Sequence, residues 1–573
     1  MKVIFHYLRP YRLRMAAGLS VKFIGTVMDL LLPWILAYIL DTVVPQKNEK
    51  QIWFFGFIMV VCAVIALVGN VVANRMAALV AKNATQTLRH DLYKKSGQLS
   101  CRQMDAFTIP SLISRMTSDT YHIHQFINMT QRMGVRAPIL LIGGLIVTLT
   151  LDPLLSLVMI ATLPFIGLVV WFISKKGVPL YTKQQQKSDH MVQMVRENYQ
   201  GIRVIKALSK EEYEKGKFNK VNKELGAQEQ KSGMIMSITN PSVTLLLNLG
   251  MAMVIIVGAY AVNEGVSQPG KIIAFMSYFT IISTAMMTIT RIFVMYSKGL
   301  ASAKRIAEVL EAPDELKVLD IAPTQTEAFI RFENVSFSYY GETNSRYMVQ
   351  DISFELGKGE TLGIIGTIGS GKTTLIQLLL RFYDVSKGSI RIEGRDIRSF
   401  DPGELRRKFG VVFQNDYLSA DSIADNISFD RNIDPEQMAF ATQIAQADEF
   451  INQLEDGYDH CLDAKGGNFS GGQRQRILIS RSLADNPEIL ILDDSSSALD
   501  YATDAALRKG IRHHLQQTTC IIVAQRISSI KHANRILVLE HGKIAGLGDH
   551  DTLMKDCEIY RQISKSQMRE FTE

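Results

Sequence analysis

Cysteine is scarce in this chain. Its five thiols, Cys62, Cys101, Cys461, Cys520 and Cys557, are scattered over 573 residues and form no C-x-x-C pair. That spacing excludes a disulfide framework and a thiolate zinc site. Charge of one sign is scarce as well. Lys and Arg number 63 against 56 Asp and Glu, a net of +7, and no basic block forms a nucleic-acid footprint. No nucleic-acid partner is expected, and the basic residues suit the cytoplasmic face of a membrane protein. Apolar sequence, in contrast, is abundant: the hydrophobic share is 47% and the mean hydropathy +0.08, high for a soluble chain of this length.

The apolar residues concentrate before about residue 300. Six segments reach membrane-spanning length, at roughly 15–42, 51–74, 133–151, 153–175, 240–263 and 271–297. The first follows Lys2, Arg9 and Arg12 and is too long for a signal-peptide core, so it reads as an uncleaved membrane helix. The third and fourth are split only by Asp152-Pro153, a tight outer turn. The connections after the second and fourth spans are long and basic, with Arg75, Lys82, Arg89, Lys94 and Lys95 in the first of them. The positive-inside rule places these connections and both chain ends in the cytoplasm. Both lack Gly/Pro clusters and read as helices that continue past the bilayer. Within the spans, Lys22 fits helix-to-helix bonding, and Asp29 fits either that or a polar cavity lining. Methionines from Met234 to Met295 suit packing or a promiscuous apolar surface.

The transmembrane region is read as residues 1–310. Residues 311–326, rich in proline and charge, read as a linker. From 327 to 573 short β-rich runs alternate with helical stretches, indicating an α/β domain. Here Gly366-Thr367-Ile368-Gly369-Ser370-Gly371-Lys372-Thr373 matches G-x-x-x-x-G-K-[ST] after an apolar run and before a helical stretch that includes Thr374. Backbone N–H groups in such a loop point at a phosphate, the lysine supplies charge, and the threonine hydroxyl suits Mg²⁺. Further on, Ile489 to Asp500 reads as a strand ending in Asp493-Asp494. The expected ligands are ATP and Mg²⁺.

Asn468-Phe469-Ser470-Gly471-Gly472-Gln473 precedes that strand and resembles the ABC-transporter signature L-S-G-G-Q, with Phe in place of Leu. The chain as a whole resembles an exporter-type half-transporter: an all-α six-helix membrane domain fused to a cytoplasmic α/β P-loop nucleotide-binding domain. The resemblance implies roles residue by residue. Tyr339 looks like the aromatic that stacks on adenine. Gln414 looks like the loop glutamine that touches Mg²⁺, and Asp493 is similar to the aspartate that holds the ion through water. Asp500 resembles the aspartate that crosses a dimer interface. Gly201 to Ala207 resembles a turn that docks into a partner's nucleotide domain, and Leu92 to Leu99 is a candidate for the other docking helix.

Two departures stand out against that family. Its hydrolytic subunits carry glutamate after the Mg²⁺ aspartate, and this chain has Asp494. Its switch histidine is replaced by Gln525 in I-I-V-A-Q-R. Phosphoryl transfer depends on positioning, so a displacement of about 1 Å costs on the order of a hundredfold in rate. A third departure, Asp463-Ala464-Lys465-Gly466, removes an acidic residue before the signature. The expectation is a degenerate, weakly hydrolytic ATP site whose intact signature completes the active site of a second chain bearing the catalytic glutamate. This would be one half of a heterodimeric exporter of hydrophobic drugs or lipids in a bacterial plasma membrane. The absence of a peptidase domain before the first span lowers the expectation of a peptide-maturing exporter. A slow homodimeric exporter, an exporter-fold importer of metal chelates, and a membrane sensor remain as alternatives.

Overall fold

The computed structural model describes residues 1–313, 316–339, 347–495 and 498–569, so Asp314 and Glu315 of the expected linker lie outside it. The chain divides into two units, Met1–Gly97 with Pro110–Ala312, and Gln98–Ile109 with Pro313–Glu573.

The first unit is helical, and six of its stretches are long and apolar enough to cross a membrane. Its main helices are Arg12–Tyr38, Glu49–Gln98, Arg136–Leu151, Pro153–Gln200, Thr239–Asn263 and Pro269–Leu310. At 1.5 Å per residue, the 50 residues of Glu49–Gln98 extend about 75 Å, over twice a hydrocarbon core of about 30 Å. The basic connections are therefore continuations of the membrane helices. Glycine allows the first two helices to meet backbone to backbone: a Cβ on Gly69 would lie 3.4 Å from Gly25 Cα. Among the intramembrane polar residues, Asp29, Asn70 and Lys22 are each paired. Asp29 accepts from Arg136 Nη2 at 3.0 Å and Asn70 Nδ2 at 3.3 Å, and Lys22 donates to Asn74 at 3.1 Å.

The second unit holds two sheets. An antiparallel sheet is ordered β2-β1-β4-β5, from β1 (Ile330–Phe337), β2 (Val349–Leu356), β4 (Lys387–Ile392) and β5 (Arg395–Asp396). A second sheet runs β10-β9-β3-β8-β7-β6, from β3 (Thr361–Gly366), β6 (Phe409–Val412), β7 (Ile489–Asp493), β8 (Thr519–Val523), β9 (Arg535–Glu540) and β10 (Lys543–Gly548). All pairings in this sheet are parallel except that of β10 with β9. Sequence pattern follows coverage. The run I-L-I-L-D of β7 is buried at every position, as expected of a parallel strand covered on both faces. In β2, V-Q-D-I-S-F-E-L alternates after its first turn, as expected with one face covered.

Residues Gln98–Ile109 come from the N-terminal half of the sequence yet pack within this second unit. The candidate docking segment Leu92 to Leu99 is not a separate helix. Leu92 to Gln98 complete the long helix Glu49–Gln98, and the separate short helix is Cys101–Phe107. A capping box explains the break, since Ser100 Oγ accepts from Gln103 N while Gln103 Oε1 accepts from Ser100 N. The helix is held by Gln103 Nε2 donating to Pro313 O at 2.7 Å and by Tyr383 Oη donating to Asp105 at 2.6 Å.

The turn between the third and fourth membrane helices rests on Asp152. Its buried carboxylate accepts from Leu154 N and Leu155 N at 3.0 and 3.2 Å, capping helix Pro153–Gln200, and from Ser267 Oγ at 2.6 Å. Asp152→Ala removes the cap and strands the buried hydroxyl. A loss of about 1–3 kcal/mol is expected, read as a lower unfolding temperature of the detergent-solubilised protein, with Asp152→Asn less affected.

Candidate nucleotide-binding site

Four adjacent parallel strands, β3, β8, β7 and β6, end on the same edge of the sheet, and each continues into a loop of the site. Such an edge is where open α/β sheets bind ligands. The loop after β3 is the glycine-rich segment, β6 leads to Gln414, β7 ends in Asp493-Asp494, and β8 leads to Gln525. These loops line a cleft of about 280 Å³ together with Tyr339.

The phosphate loop depends on its glycines. A Cβ at Gly366 would sit 2.2 Å from Leu539 O and 2.8 Å from Ser370 Oγ. Gly369 and Gly371 have φ of +79° and +98°, and a Cβ on Gly371 would lie 2.5 Å from Val349. Gly371 precedes helix Lys372–Leu379, whose N-terminus opens on the cleft. Thr367 O accepts from Ser370 N at 3.2 Å, closing the loop, and Ile368 stands fully exposed at its tip. Lys372 Nζ turns back onto Gly366 O and Thr367 O at 2.8 and 2.9 Å. Burial lowers its pKa, opposed by the charges of Asp493 and Asp494.

The two carboxylates differ. Asp493, at the buried end of β7, has one oxygen, Oδ2, without a hydrogen-bond partner, and burial raises its pKa against an opposing hydrogen bond from Thr373. An orphaned buried carboxylate oxygen beside a threonine hydroxyl fits a divalent cation. Asp494, at φ +52°, takes Gln525 Nε2 at 2.6 Å and Gln414 Nε2 at 3.4 Å on its Oδ2. Register brings these groups together: Asp493 is paired with Val523, and Asp494 N donates to Val523 O, two residues before Gln525. The two departures from the family pattern thus form a single contact.

Residues 15–286 match the family described as the ABC transporter transmembrane region, and residues 349–497 match the ABC transporter family. The uncharacterized ABC transporter ATP-binding protein YfiB of Bacillus subtilis is 31% identical over 568 residues, covering 99% of this chain and 98% of that protein. The similarly described YknU of the same organism is 32% identical over 98% of this chain and 97% of its own length. This chain belongs to the ABC transporter family. Its fold is also that of a bacterial Atm1-family ABC exporter solved with ATP bound. That likeness has a TM-score of 0.82 at 23% identity, over 97% of this chain and 98% of the other. The chain is thus an ABC transporter protein with the fold of an exporter, a multi-pass membrane region fused to an ATP-binding domain.

Not every expected site residue of the transporter meets the cleft. Thr374 lines it, and its hydroxyl lies 3.2 Å from that of Tyr339, which donates to Gln377 at 2.7 Å. The Tyr339 ring also meets Phe337 and Tyr383 edge-on. Ser470, Gly471, Gly472 and Gln473 lie elsewhere in the unit. Ser470 caps helix Gly471–Leu483 in a capping box with Gln473, and Phe469 packs against Phe450 and His460, which explains the aromatic at the usual leucine position. Arg481 of that helix donates to Asp416 at 2.6 Å and to Tyr417 O at 2.8 Å, fastening the signature helix to the Gln414 loop. Asp500 caps helix Tyr501–His514, and bonds from Thr503 hold its carboxyl below the usual range. Met348, Val523 and Ala524 also line the cleft. Sequence reading missed them, because their residue types carry no chemical signal.

Because burial lifts the Asp493 pKa above 3.8, the folded state holds a proton there more tightly than the unfolded chain does. That contribution is present below the ordinary pKa and is lost as pH rises through the folded value. Nucleotide-free Asp493→Asn is expected to unfold at a higher temperature than the wild type near pH 7, with the difference vanishing toward about pH 4. Thermal unfolding across that range measures it, and an equally stable or less stable variant at neutral pH contradicts it.

Proposed function

We propose that this chain is the degenerate-site half of a heterodimeric ABC exporter of hydrophobic drugs or lipids, in a bacterial plasma membrane with both termini cytoplasmic. The observation that carries the reading is the Asp494–Gln525 hydrogen bond at 2.6 Å. The carboxylate that would orient an attacking water is a methylene shorter than glutamate and is held by two side-chain amides. At the γ-phosphate position, Gln525 offers a neutral donor without the switchable charge of histidine.

ATP binding is retained in this reading. The glycine loop and Lys372 hold the phosphates at the helix N-terminus, and Tyr339 borders the base. Thr373, Gln414 and Asp493, the last through water, would hold Mg²⁺, which supplies charge neutralisation to the phosphates when bound. The exposed Ser470 and the helix it caps complete the ATP site on a partner chain that carries the catalytic glutamate, and Asp500 lies at that interface. Two further segments transmit the state of the site. Exposed Ile202 and Val204, in helix Ile202–Ala207, suit docking into the partner. Cys101–Phe107 docks through Asp105 and Tyr383, whose ring lies 5.3 Å from that of Tyr339. Basic residues along the helical extensions and the bacterial origin of the relatives support the membrane assignment.

The test is ATP hydrolysis by the purified chain alone and by the complex that co-purifies from its host. The chain alone is expected to be slow. The Asp494→Glu, Gln525→His double variant is expected to raise its rate by about 10- to 100-fold. Each single change should give less than its share, because it breaks a matched pair. Ordinary transporter rates from the unmodified chain alone would overturn the reading, and so would the absence of a companion chain of similar size.

A further inference from the structure

The membrane unit contains a second cavity, of about 500 Å³, the size of a drug-like ligand. It is bordered by Asp29 and Arg136 at a polar end, by Leu140 and Ile281 along apolar walls, and by Thr280 and Thr284 on the sixth span. None of the methionines singled out in the sequence lines it among the described residues; Met133 does.

Charge around the polar end is unbalanced. Among the described residues that line the cavity, Asp29 is the one carboxylate. Arg136, Arg132 and Asp29 all lie within electrostatic reach of Lys22. Asp29 is already satisfied by Arg136 and Asn70, and Lys22 by Asn74. Arg136 is not. Among the described residues its one hydrogen bond runs from Nη2 to Asp29, its Nε has no partner, and its side chain is 43% exposed. An arginine with four of five donors unused, inside apolar walls, is suited to a carboxylate or phosphate. Excess cation in a membrane span is costly unless an anion completes it. Along the sixth span, Thr280, Thr284 and Thr288 donate their hydroxyl hydrogens to the carbonyls four residues back. Toward the cavity they present oxygen lone pairs, which accept from a hydroxyl or amide of a ligand.

We infer that this cavity binds an amphiphilic acid, its carboxylate or phosphate on Arg136 and its apolar body against Leu140 and Ile281, with Asp29 as the counter-ion released when ligand arrives. The inference rests on the export reading and narrows its substrate class from hydrophobic molecules in general to acidic ones.

The experiment uses the full chain, with any second half that co-purifies, in phosphatidylcholine nanodiscs without nucleotide. Probes are an anthroyloxy-labelled stearic acid, its methyl ester and the corresponding amine, read by fluorescence anisotropy. The acid should bind at least about tenfold more tightly than the ester or the amine. Arg136→Met should abolish that preference and leave ester binding unchanged, whereas Asp29→Asn should tighten acid binding. A purely structural tie between helices would instead make the two variants alike and indifferent to probe charge. MgATP-dependent thermal stabilisation confirms that each variant is folded, and Arg136→Gln replaces a methionine variant that is not. A short-chain fluorescent phosphatidic acid that competes with the stearate assigns the site to a lipid headgroup; failure to compete, with the acid preference intact, assigns it to free acids. Equal binding of acid and ester, or preference for the amine, overturns the inference. Flux in proteoliposomes separates this from the export reading: ATP-driven movement of ester as fast as acid sinks only the inference, and no ATP-driven movement of any probe sinks export.

Discussion

The parallel pairing of β7 with β8 is the constraint on which the nucleotide site depends. It sets Asp493 opposite Val523, and the next residue on each side enters the cleft. Shifting that register by one residue would turn every side chain to the other face of the sheet. The flanking strands β3 and β6 then add the phosphate loop and Gln414 on the same edge. Residues more than a hundred positions apart are gathered by nothing more than strand order and a common direction. The buried run I-L-I-L holds the strand in place and carries an acid at its end that water cannot fully solvate.

The site is accordingly poised between stability and binding. Asp493 is kept ionisable in a place that disfavours the charge, and Lys372 is buried where its own charge is disfavoured. Each partly compensates the other, and a ligand carrying both phosphate and cation would compensate both. Asp494 is different, because its oxygen is already engaged by two amides. The same economy recurs in the membrane unit, where Asp29 ties Arg136 and Asn70 across three helices. In both places a carboxylate in a dry setting is matched by donors from other elements.

Much of the architecture was legible from residues alone. Six apolar runs, the phosphate loop and the S-G-G-Q segment are local patterns, and the forces behind them act over a few neighbours: burial along a helix, a tight turn, a cap. The long helical extensions were readable from the absence of breakers. The separate short helix Cys101–Phe107 was not, because the capping box at Ser100 and Gln103 starts it just beyond the segment Leu92 to Leu99. Tyr339 was placed by its sequence position, but its bonds to Thr374 and Gln377 and its contact with Tyr383 come from elements far along the chain.

By itself the sequence determined the class of this protein: a membrane-spanning half followed by an ATP-binding domain with two unusual residues in its site. Only the tertiary structure decided that those two residues touch. Asp494 and Gln525 lie in the loops that follow different strands, and the sequence carries no record of the distance between them. Their hydrogen bond exists because β7 and β8 are neighbours in a parallel sheet, and hydrogen-bonded pairing between strands, not spacing along the chain, sets which side chains meet.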